Sequence, residues 1–453
     1  MKIIIAGCGK VGYALAEQLN EEGHELTIID IKEEKVSMVG NALDVMAIQG
    51  NATSYRVQEE AGVEEADLLI AVTNKDEVNL LCCLIARKAG HCQTIARVRD
   101  PGYYAEIGFI KEELGLSMAI NPELAAASDI ARLIRVPSAM EVDSFAKGKV
   151  ELVRFRIPEG SPWANKPISE AGKKMGKDLL ICILEREGSH EVLIPDGNVI
   201  LHEGDYISVI VSPSKMKAMF SGIGIESRMI RDVVIAGGGT LAYYLAKQLL
   251  ESRIQVKIIE NNRARCDELS ELLPKAMIIY GDASGTDLLK EEGIENADAF
   301  VSLTGLDEEN VMLACYVGRV SRAKVITKIN KINYGGILDN FDIGSVVSPR
   351  NLTTELIIKY VRCMQNSIGS AVEAVYRMVD NKVEALEFSV KKGAKVLDVP
   401  LADLQLKKNL LLCSIVRRGK IILPSGQDKI QAGDTIIVVT THKGLDEIED
   451  ILA

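Results

Sequence analysis

Short, mainly apolar runs alternate with longer amphipathic segments in the first part of the chain. The runs KIIIAG, ELTIID, DLLIAV and TIARV each have the length of one β-strand. Strands buried on both faces have this pattern, and the segments between them repeat their apolar residues at helical spacing. The alternation predicts βαβ units that form a parallel sheet.

The same pattern occurs a second time further along the chain. IIIAGCGKVG returns as VVIAGGGTLA, which aligns Gly7 with Gly237, and the same register aligns Asp30 with Glu260. QGNAT matches YGDAS, and AVTNKDEVN matches SLTGLDEEN. A repeat of this length indicates that the α/β unit is duplicated.

A second kind of unit follows each α/β unit. LIPDGNVILHEGDYISVIV in the first half corresponds to ILPSGQDKIQAGDTIIVVT in the second. Short strands with Pro-Asp-Gly or Pro-Ser-Gly turns are typical of a small α+β module. We therefore predict an α/β protein with two tandem Rossmann-like doubly wound parallel sheets, each followed by a small α+β module. The predicted domains cover residues 1–135, 140–224, 231–365 and 370–453, with linkers after Arg135, from Gly222 to Arg231, and from Asn366 to Asp380.

Composition and charge indicate a packed protein and argue against two kinds of partner or location, nucleic acid and the membrane interior. The chain has 453 residues, of which 47% are hydrophobic and 26% charged, as in packed proteins of several domains. A net charge of −11 without a basic cluster argues against nucleic acid as a partner. No apolar run approaches the ~20 residues of a membrane-spanning helix, and MKIIIAG leads directly into the first strand, so we expect a cytoplasmic protein.

The cysteines do not indicate a metal site. There are nine, an odd number, and several lie inside apolar runs without the paired spacing of a zinc site. Cys82 and Cys83 are adjacent on a predicted helix and point to different faces. We interpret the cysteines as small core residues in a reducing compartment and predict no metal.

A glycine motif after the first strand carries the candidate chemistry. Gly7, Gly9 and Gly12 open the first helix, where backbone N–H groups and the helix N-terminus can face a pyrophosphate. Asp30 ends the second strand about 20 residues later, where a carboxylate accepts hydrogen bonds from ribose hydroxyls and repels a 2′-phosphate. The motif favours NAD or another adenine nucleotide over NADP. The alternative is a Rossmann unit that has lost its ligand.

The second α/β unit has a modified motif. Gly237, Gly239 and Glu260 recur, but Ala242 replaces the third glycine, which the motif tolerates. Gly238 and the longer side chain of Glu260 change the geometry. The second site therefore either prefers a different nucleotide or is only structural.

Further polar residues recur where the predicted strands end, which is where ligands of doubly wound sheets bind. The matched pairs in the two α/β units are Asn51 and Asp282 after the third strand, Thr73 and Thr304 after the fourth, and Arg97 and Lys328 near the fifth. Each residue alone is typical of a turn or a surface charge. Their recurrence favours a common binding cleft.

No catalytic residue is predicted. A dehydrogenase needs an acid–base group beside the nicotinamide, and none of the five histidines recurs between the halves. We expect most of them on the surface: His24, His91, His190, His202 and His442. Duplicated binding units favour a ligand-driven switch instead, with movement near Asp76 and Glu77 and after Arg135 and Ser348.

These motifs, together with TIARVRDP and the repeated GD-x-I strand, resemble the RCK, or KTN, domains that regulate potassium channels and transporters. The resemblance covers nearly the whole chain. The tandem arrangement of the units is similar to that of the tandem-RCK regulatory subunits of Trk-type potassium uptake systems. It implies binding of NAD(H), and in some members ATP or ADP. It also implies a ring of eight RCK units from four chains, docked at the inner face of the cell membrane on a potassium-translocating subunit of the TrkH or TrkG kind.

The resemblance also implies site residues. The first site would comprise Gly7, Cys8, Gly9, Lys10, Val11, Asp30, Thr73, Asn74 and Arg97, and the second Gly237, Gly239, Glu260 and Asp282. Gly305, where the first repeat has Asn74, leaves the preference of the second site open. Two other functions remain as alternatives: an NAD-dependent oxidoreductase, and a regulator of another cation transporter.

Overall fold

The chain forms two compact units, each built from two separate stretches of sequence. The computed structural model describes residues 1–453 apart from 147–148, 172–178, 190, 212, 226–228, 331–340, 342, 367–371, 380–381 and 446. The first unit consists of Met1–Ala131 and Arg231–Ile358, and the second of Arg132–Ile230 and Lys359–Ala453. Among the described residues, no helix is both long and apolar enough to cross a membrane.

The first α/β repeat is a six-stranded sheet with strand order β3-β2-β1-β4-β5-β6, and all neighbouring strands are parallel. This is the Rossmann strand order, so the predicted fold is confirmed for this repeat. Its elements are β1 (Lys2–Ala6), α1 (Lys10–Glu21), β2 (Glu25–Asp30), α2 (Glu33–Ala42), β3 (Met46–Gln49), α3 (Tyr55–Glu60), β4 (Leu68–Ala71), α4 (Asp76–Ala89), β5 (Gln93–Arg97), α5 (Pro101–Ala105), α6 (Ile107–Leu114), β6 (Met118–Ile120) and α7 (Pro122–Arg135).

The first α+β module is an antiparallel sheet of order β11-β10-β13-β8-β7 with a two-stranded sheet of β12 and β9. Its elements are β7 (Glu141–Phe145), β8 (Val150–Arg156), β9 (Lys166–Pro167), α8 (Ile168–Ala171), β10 (Leu179–Glu185), β11 (Val192–Leu193), β12 (Ile200–Leu201), β13 (Tyr206–Val211) and α9 (Pro213–Ile223). The linker expected after Arg135 was wrong in part, because β7 lies inside it and pairs with β8. Part of the linker expected from Gly222 to Arg231 lies outside the described residues.

The second α/β repeat reproduces the first, with strand order β16-β15-β14-β17-β18-β19 and parallel pairing throughout. Its elements are β14 (Asp232–Ala236), α10 (Thr240–Glu251), β15 (Gln255–Glu260), α11 (Arg263–Leu272), β16 (Met277–Tyr280), α12 (Thr286–Glu291), a 3-10 helix (Ile294–Asn296), β17 (Ala299–Ser302), α13 (Asp307–Val320), β18 (Lys324–Lys328), β19 (Ser345–Val347) and α14 (Pro349–Asn366). The tandem arrangement of the two sheets is therefore confirmed.

The second α+β module has strand order β20-β21-β24-β22-β23, again antiparallel. Its elements are β20 (Val372–Met378), β21 (Val383–Ser389), a 3-10 helix (Leu401–Asp403), β22 (Leu410–Arg417), β23 (Lys420–Ile422), β24 (Thr435–Thr440) and a 3-10 helix (Ile448–Ile451). Strand β20 lies inside the interval from Asn366 to Asp380 that the sequence suggested was a linker, which corrects that expectation in part, and residues 367–371 and 380 lie outside the described residues.

Aliphatic side chains fill the centres of the parallel sheets. Ile3, Ile4 and Ile5 of β1 are all buried, as expected for a strand covered on both faces. Each such side chain contributes about 1.5–3 kcal/mol to folding by leaving water. His24 is also buried, so it is an exception to the expected surface position of the histidines, and His190 lies outside the described residues.

The repeated Gly-Asp pair in the α+β modules has a structural role. Asp205, which is almost fully buried, accepts hydrogen bonds from Arg186 and from the backbone N–H of His202. Asp434 in the second module accepts two from Arg417, at 2.7 and 2.8 Å, and one from the backbone of Gln431. Each carboxylate thereby closes the turn that leads into the last strand of its sheet, and each is paired, as a buried charge must be.

The two α+β modules share a hydrophobic cluster in the second unit. Phe145 contacts Tyr376 edge to face, with ring centroids 4.4 Å apart. The backbone N–H of the next residue, Ala146, donates to the buried carboxylate of Glu387. Cys182 and Cys413 belong to the same cluster and are fully buried free thiols. Side chains from both modules therefore form one core.

Replacing Phe145 with alanine should lower the stability of the protein by about 3–5 kcal/mol, because the ring is fully buried and its removal leaves a cavity. Urea denaturation followed by circular dichroism would measure the shift in the midpoint of the unfolding transition. The matched control is Phe109→Ala, since that ring is 67% exposed. Equal midpoints for the two variants would contradict the shared core.

Candidate nucleotide sites

The glycine loop between β1 and α1 has a backbone that other residues adopt poorly. Gly7 has φ +105°, and a Cβ on Gly12 would lie 1.9 Å from the carbonyl oxygen of Gly7. The first position therefore requires glycine for its conformation and the third for close packing. Gly9 is different, because a Cβ there would meet no protein atom within 4 Å. It begins α1 without a side-chain cap, so the first N–H groups of the helix remain available for an anion.

Asp30 fixes the loop from the end of the neighbouring strand. Its Oδ2 accepts the backbone N–H of Cys8 at 2.7 Å, and its Oδ1 accepts that of Lys32 at 3.0 Å. The ammonium of Lys35 lies 3.6 Å from Oδ2. Each carboxylate oxygen retains a further acceptor position. The side chain is therefore held in place before any ribose hydroxyl reaches it.

A buried amide holds the adjacent strand ends together. Asn79, on α4, accepts hydrogen bonds from the backbone N–H and hydroxyl of Thr73 at 2.8 and 2.7 Å. Its amide nitrogen donates to the carbonyl oxygens of Thr73 and Arg97. One side chain thus connects the carboxyl ends of β4 and β5. Asn79 and Asn310 are the last residues of the matched segments AVTNKDEVN and SLTGLDEEN, and their recurrence after each Thr was the signal that could have identified them.

Arg97 reaches across the same edge of the sheet. Its guanidinium donates to the carbonyl oxygen of Thr73, while its Nε is buried and has no hydrogen-bond partner among the described residues. Burial lowers the pKa of Arg97, and the neighbouring guanidinium of Arg99 lowers it further. An anion in the cavity would oppose both effects and raise the pKa of Arg97 again.

These elements surround a cavity of about 710 Å³, within the usual range for a small-molecule site. The cavity brings together most of the predicted first-site residues: Gly7, Gly9, Lys10, Val11, Asp30, Asn51, Thr73, Asn74 and Arg97. Cys8 and Gly12 are not in its lining, because the Cys8 side chain is buried and Gly12 packs against the loop. The sequence analysis missed several residues that do line it: Lys32, Lys35, Lys75, Arg99, Glu123, Asn330, Pro349, Arg350 and Thr353.

A second cavity, of about 470 Å³, lies at the corresponding place in the second repeat. It is lined by all the predicted residues of that site: Gly237, Gly239, Glu260, Asp282 and Thr304, together with Lys328. Glu260 reproduces the contact of Asp30, since its Oε2 accepts the N–H of Gly238 at 2.7 Å. Gly238 leaves room for Glu260 here, because a Cβ would lie 3.0 Å from Oε2 of Glu260 and 2.7 Å from the end of the Leu269 side chain. The longer carboxylate is thus accommodated by a smaller loop residue.

The two cavities differ strongly in charge. Among the described residues, the lining of the first contains seven lysines and arginines and two carboxylates, whereas that of the second contains one lysine and three carboxylates. Lys10, Lys32 and Lys75 in the first repeat correspond to Thr240, Asn262 and Leu306 in the second. The first cavity is therefore much better suited to a highly charged phosphate ligand.

No histidine of the described residues lines either cavity. No group of three or more metal-ligating side chains occurs in the described part of the chain.

Comparison with known proteins places this geometry in a family. The TrkA-N domain profile matches residues 3–122 and 233–349, and the TrkA-C domain profile matches residues 152–223 and 385–453. The chain is 34% identical, over the full length of both proteins, to the Trk system potassium uptake protein TrkA homolog of Archaeoglobus fulgidus. The chain belongs to the TrkA family.

Solved structures show the same fold in RCK domains. The RCK domain of GsuK is similar with a TM-score of 0.64 at 17% identity, covering 98% of this chain and 92% of that one. The GsuK channel bound to NAD gives a TM-score of 0.64 at 18% identity, covering 98% of this chain and 77% of that one. The resemblance to RCK domains is thereby confirmed, and the TrkA relatives link the chain to potassium uptake.

Replacing Asn79 with alanine should destabilise the first repeat by roughly 1–3 kcal/mol for each backbone group left unsatisfied and should weaken nucleotide binding at the first site. Thermal denaturation and calorimetric titration would measure the two effects. Asn310→Ala is the matched control, because it removes the equivalent contacts to Thr304 and Lys328 but leaves the first cavity intact. Unchanged stability in both variants would show that the amide does not hold the strands.

Replacing Gly9 with alanine should leave stability unchanged and reduce nucleotide affinity at the first site at least about tenfold, because the methyl group would occupy the position where the backbone approaches a pyrophosphate. Gly108→Ala on α6 is the control, since that position is also open but lies outside the cavity. Affinity equal to that of the unmodified protein would place the phosphates elsewhere.

Proposed function

We propose that the protein is a nucleotide-sensing regulatory subunit of a Trk-type potassium uptake system. The observation that supports this most directly is the first cavity, where a carboxylate already fixed by two backbone N–H groups faces an uncapped helix N-terminus. The carboxylate is placed to bind the ribose of an adenine nucleotide, and the helix N-terminus is placed to bind its phosphates. Family membership supplies the connection to potassium uptake.

The nucleotides are NAD(H) and ATP or ADP. Asp30 and Glu260 each have acceptor capacity for the two ribose hydroxyls, and each would repel the 2′-phosphate of NADP. The fold of the chain is similar to that of GsuK, which has been solved with NAD bound. Occupancy of the sites changes the conformation of the assembly, which requires ligand contacts that differ between two states.

The partner is a potassium-translocating membrane subunit of the TrkH or TrkG kind. Four chains would supply eight RCK units to a ring that docks on the cytoplasmic face of that subunit. The naming of the relatives as Trk system potassium uptake proteins and the fold similarity to the RCK domain of the GsuK channel support this arrangement. The protein then acts as a peripheral component at the inner face of the cell membrane.

The protein acts by binding and not by catalysis. An NAD-dependent oxidoreductase needs a proton donor or acceptor beside the nicotinamide, often a histidine, and no histidine of the described residues lines either cavity. A regulator of another cation transporter would share every feature of the two cavities. Potassium flux measured with the membrane partner separates that alternative.

Calorimetric titration of the full-length protein with NAD⁺, NADH, ATP and ADP should show saturable binding. Asp30→Ala should abolish the first-site component and Glu260→Ala the second, with an affinity loss of at least about tenfold at the altered site, because each variant removes charge-assisted hydrogen bonds to ribose. Asp30→Asn and Glu260→Gln are intermediate variants, since each keeps one acceptor oxygen and so loses only one of the two backbone N–H contacts of its carboxylate. Absence of binding by every nucleotide would overturn the proposed function.

A further inference from the structure

Two cysteines occupy the same position in the two α+β modules. LLICIL in β10 matches LLLCSI in β22, which aligns Cys182 with Cys413. Both thiols are free and fully buried, and both belong to the hydrophobic cluster that the two modules share. Burial alone is typical of any core cysteine, which packs as a small apolar side chain. The local geometry of these two, and their contact with each other, set them apart.

Each cysteine lies in a β-bulge. The pairing of β10 with β13 shifts register at Cys182, and the pairing of β22 with β24 shifts register at Cys413. A bulge leaves one residue out of the ladder and redirects its side chain. The two thiols also make the same local contact, since Cys182 donates to the carbonyl oxygen of Leu180 at 3.6 Å and Cys413 to that of Leu411 at 3.4 Å. The backbone therefore orients both thiols in the same way.

The two thiols meet where the two modules meet. Strand β10 contacts β22, and Cα atoms of the two strands come within 8 Å of each other. That separation is close to the roughly 4.4–6.8 Å between the Cα atoms of a disulfide. Burial raises the pKa of the Cys413 thiol well above its usual range, and a hydrogen bond with the Cys182 thiol raises it further. The sulfur atoms of the two modules are therefore direct neighbours.

The strands that carry the cysteines are covered on one side by very short strands. Strand β11 has two residues and pairs with β10 at Leu184 and Glu185, and β23 has three residues and pairs with β22 at Ile415–Arg417. Cys182 and Cys413 lie outside these pairings. Segments with few ladder hydrogen bonds open locally at a lower free-energy cost than the centre of a sheet. A small oxidant can therefore reach one thiol during such an opening, although both are buried when the core is closed.

We propose that Cys182 and Cys413 form a dithiol that a peroxide oxidises to a disulfide between the two α+β modules. One thiol, reached during a local opening, reacts with hydrogen peroxide to give a sulfenic acid and water. The second thiol then attacks that sulfur, so that the S–S bond forms and the hydroxyl leaves with the thiol proton as water. Two thiols and one peroxide thus give one disulfide and two waters, and two electrons pass from sulfur to the peroxide.

The disulfide would enclose the whole second α/β repeat in a covalent loop, because that repeat lies between the two cysteines in the chain. Closing a long loop restricts the unfolded chain far more than the folded one. The oxidised protein is therefore harder to unfold, and its two α+β modules cannot separate. In the reduced protein, only non-covalent contacts hold these modules together. This inference is independent of nucleotide binding.

The test is treatment of the folded full-length protein with hydrogen peroxide, followed by alkylation of the remaining thiols in denaturant, digestion and mass spectrometry. Cys182→Ala and Cys413→Ala each remove one partner of the pair. Cys92→Ala is the matched control, because Cys92 is also buried but lies in the core of the first α/β repeat. Thermal midpoints are measured before oxidation, after it, and after reduction with a phosphine. Peptide mapping of the unaltered protein decides the proposal even if an alanine variant does not fold.

We expect a peptide pair joined through Cys182 and Cys413, the loss of two alkylated thiols, and a rise in the thermal midpoint of at least about 5 °C that reduction reverses. Cys92→Ala should give the same linked peptides and the same rise, whereas Cys182→Ala and Cys413→Ala should give neither. Cysteines of the pair that stay alkylatable, or that become sulfinic acids instead of a disulfide, would overturn the proposal. A disulfide from either one to any other cysteine would also overturn it.

Discussion

One buried asparagine amide in each repeat joins the strand ends at the edge of the sheet where a ligand would bind. Parallel strands end with free carbonyl groups, and at the switch point of a doubly wound sheet these groups border a cleft. Asn79 in the first repeat and Asn310 in the second bind the strand ends on both sides of that cleft. Thr73, Arg97 and their counterparts depend on these contacts for their positions, and so does the shape of each cavity.

The sequence predicted the fold well because its strongest signals are local. Gly7 and Gly12 are required by one turn, and the alternation of apolar runs with amphipathic segments follows from strands and helices that are adjacent in the chain. Strand β7 was missed, because Glu141–Phe145 alternates polar and apolar residues over only five positions and lies next to turn-forming residues. Such a short edge strand is defined by its partner β8 more than by its own composition.

The candidate site was predicted in part, for a related reason. Asp30, Thr73 and Arg97 lie at strand ends of one sheet, so their order in the chain reveals their proximity. Arg350 is remote in sequence, and only packing of the two repeats brings it to the first cavity. The prolines that begin the helix after the last strand were an available signal, since aligning Pro122 with Pro349 places Arg350 opposite Glu123, although this pair is out of register with the preceding motifs.

Duplication preserved the backbone of the two repeats and allowed their linings to diverge. The contacts that build the loop are the same: a carboxylate accepts an N–H from the glycine loop, and an asparagine joins the strand ends. The residues that face the cavity differ, as with Lys10 and Thr240 or Lys75 and Leu306. Packing and hydrogen bonding constrain the residues that build the loop, while only the ligand constrains the residues that face the cavity.

Completion of the first cavity by α14 has a consequence for synthesis of the chain on the ribosome. Chains are made from the N-terminus, and domains generally fold as they emerge. The glycine loop and Asp30 emerge well before Pro349, Arg350 and Thr353, which follow only after the entire first α+β module and the second parallel sheet. A nascent first repeat therefore has its glycine loop long before it has a finished cavity, and any nucleotide it encounters during translation meets a site without the wall supplied by α14.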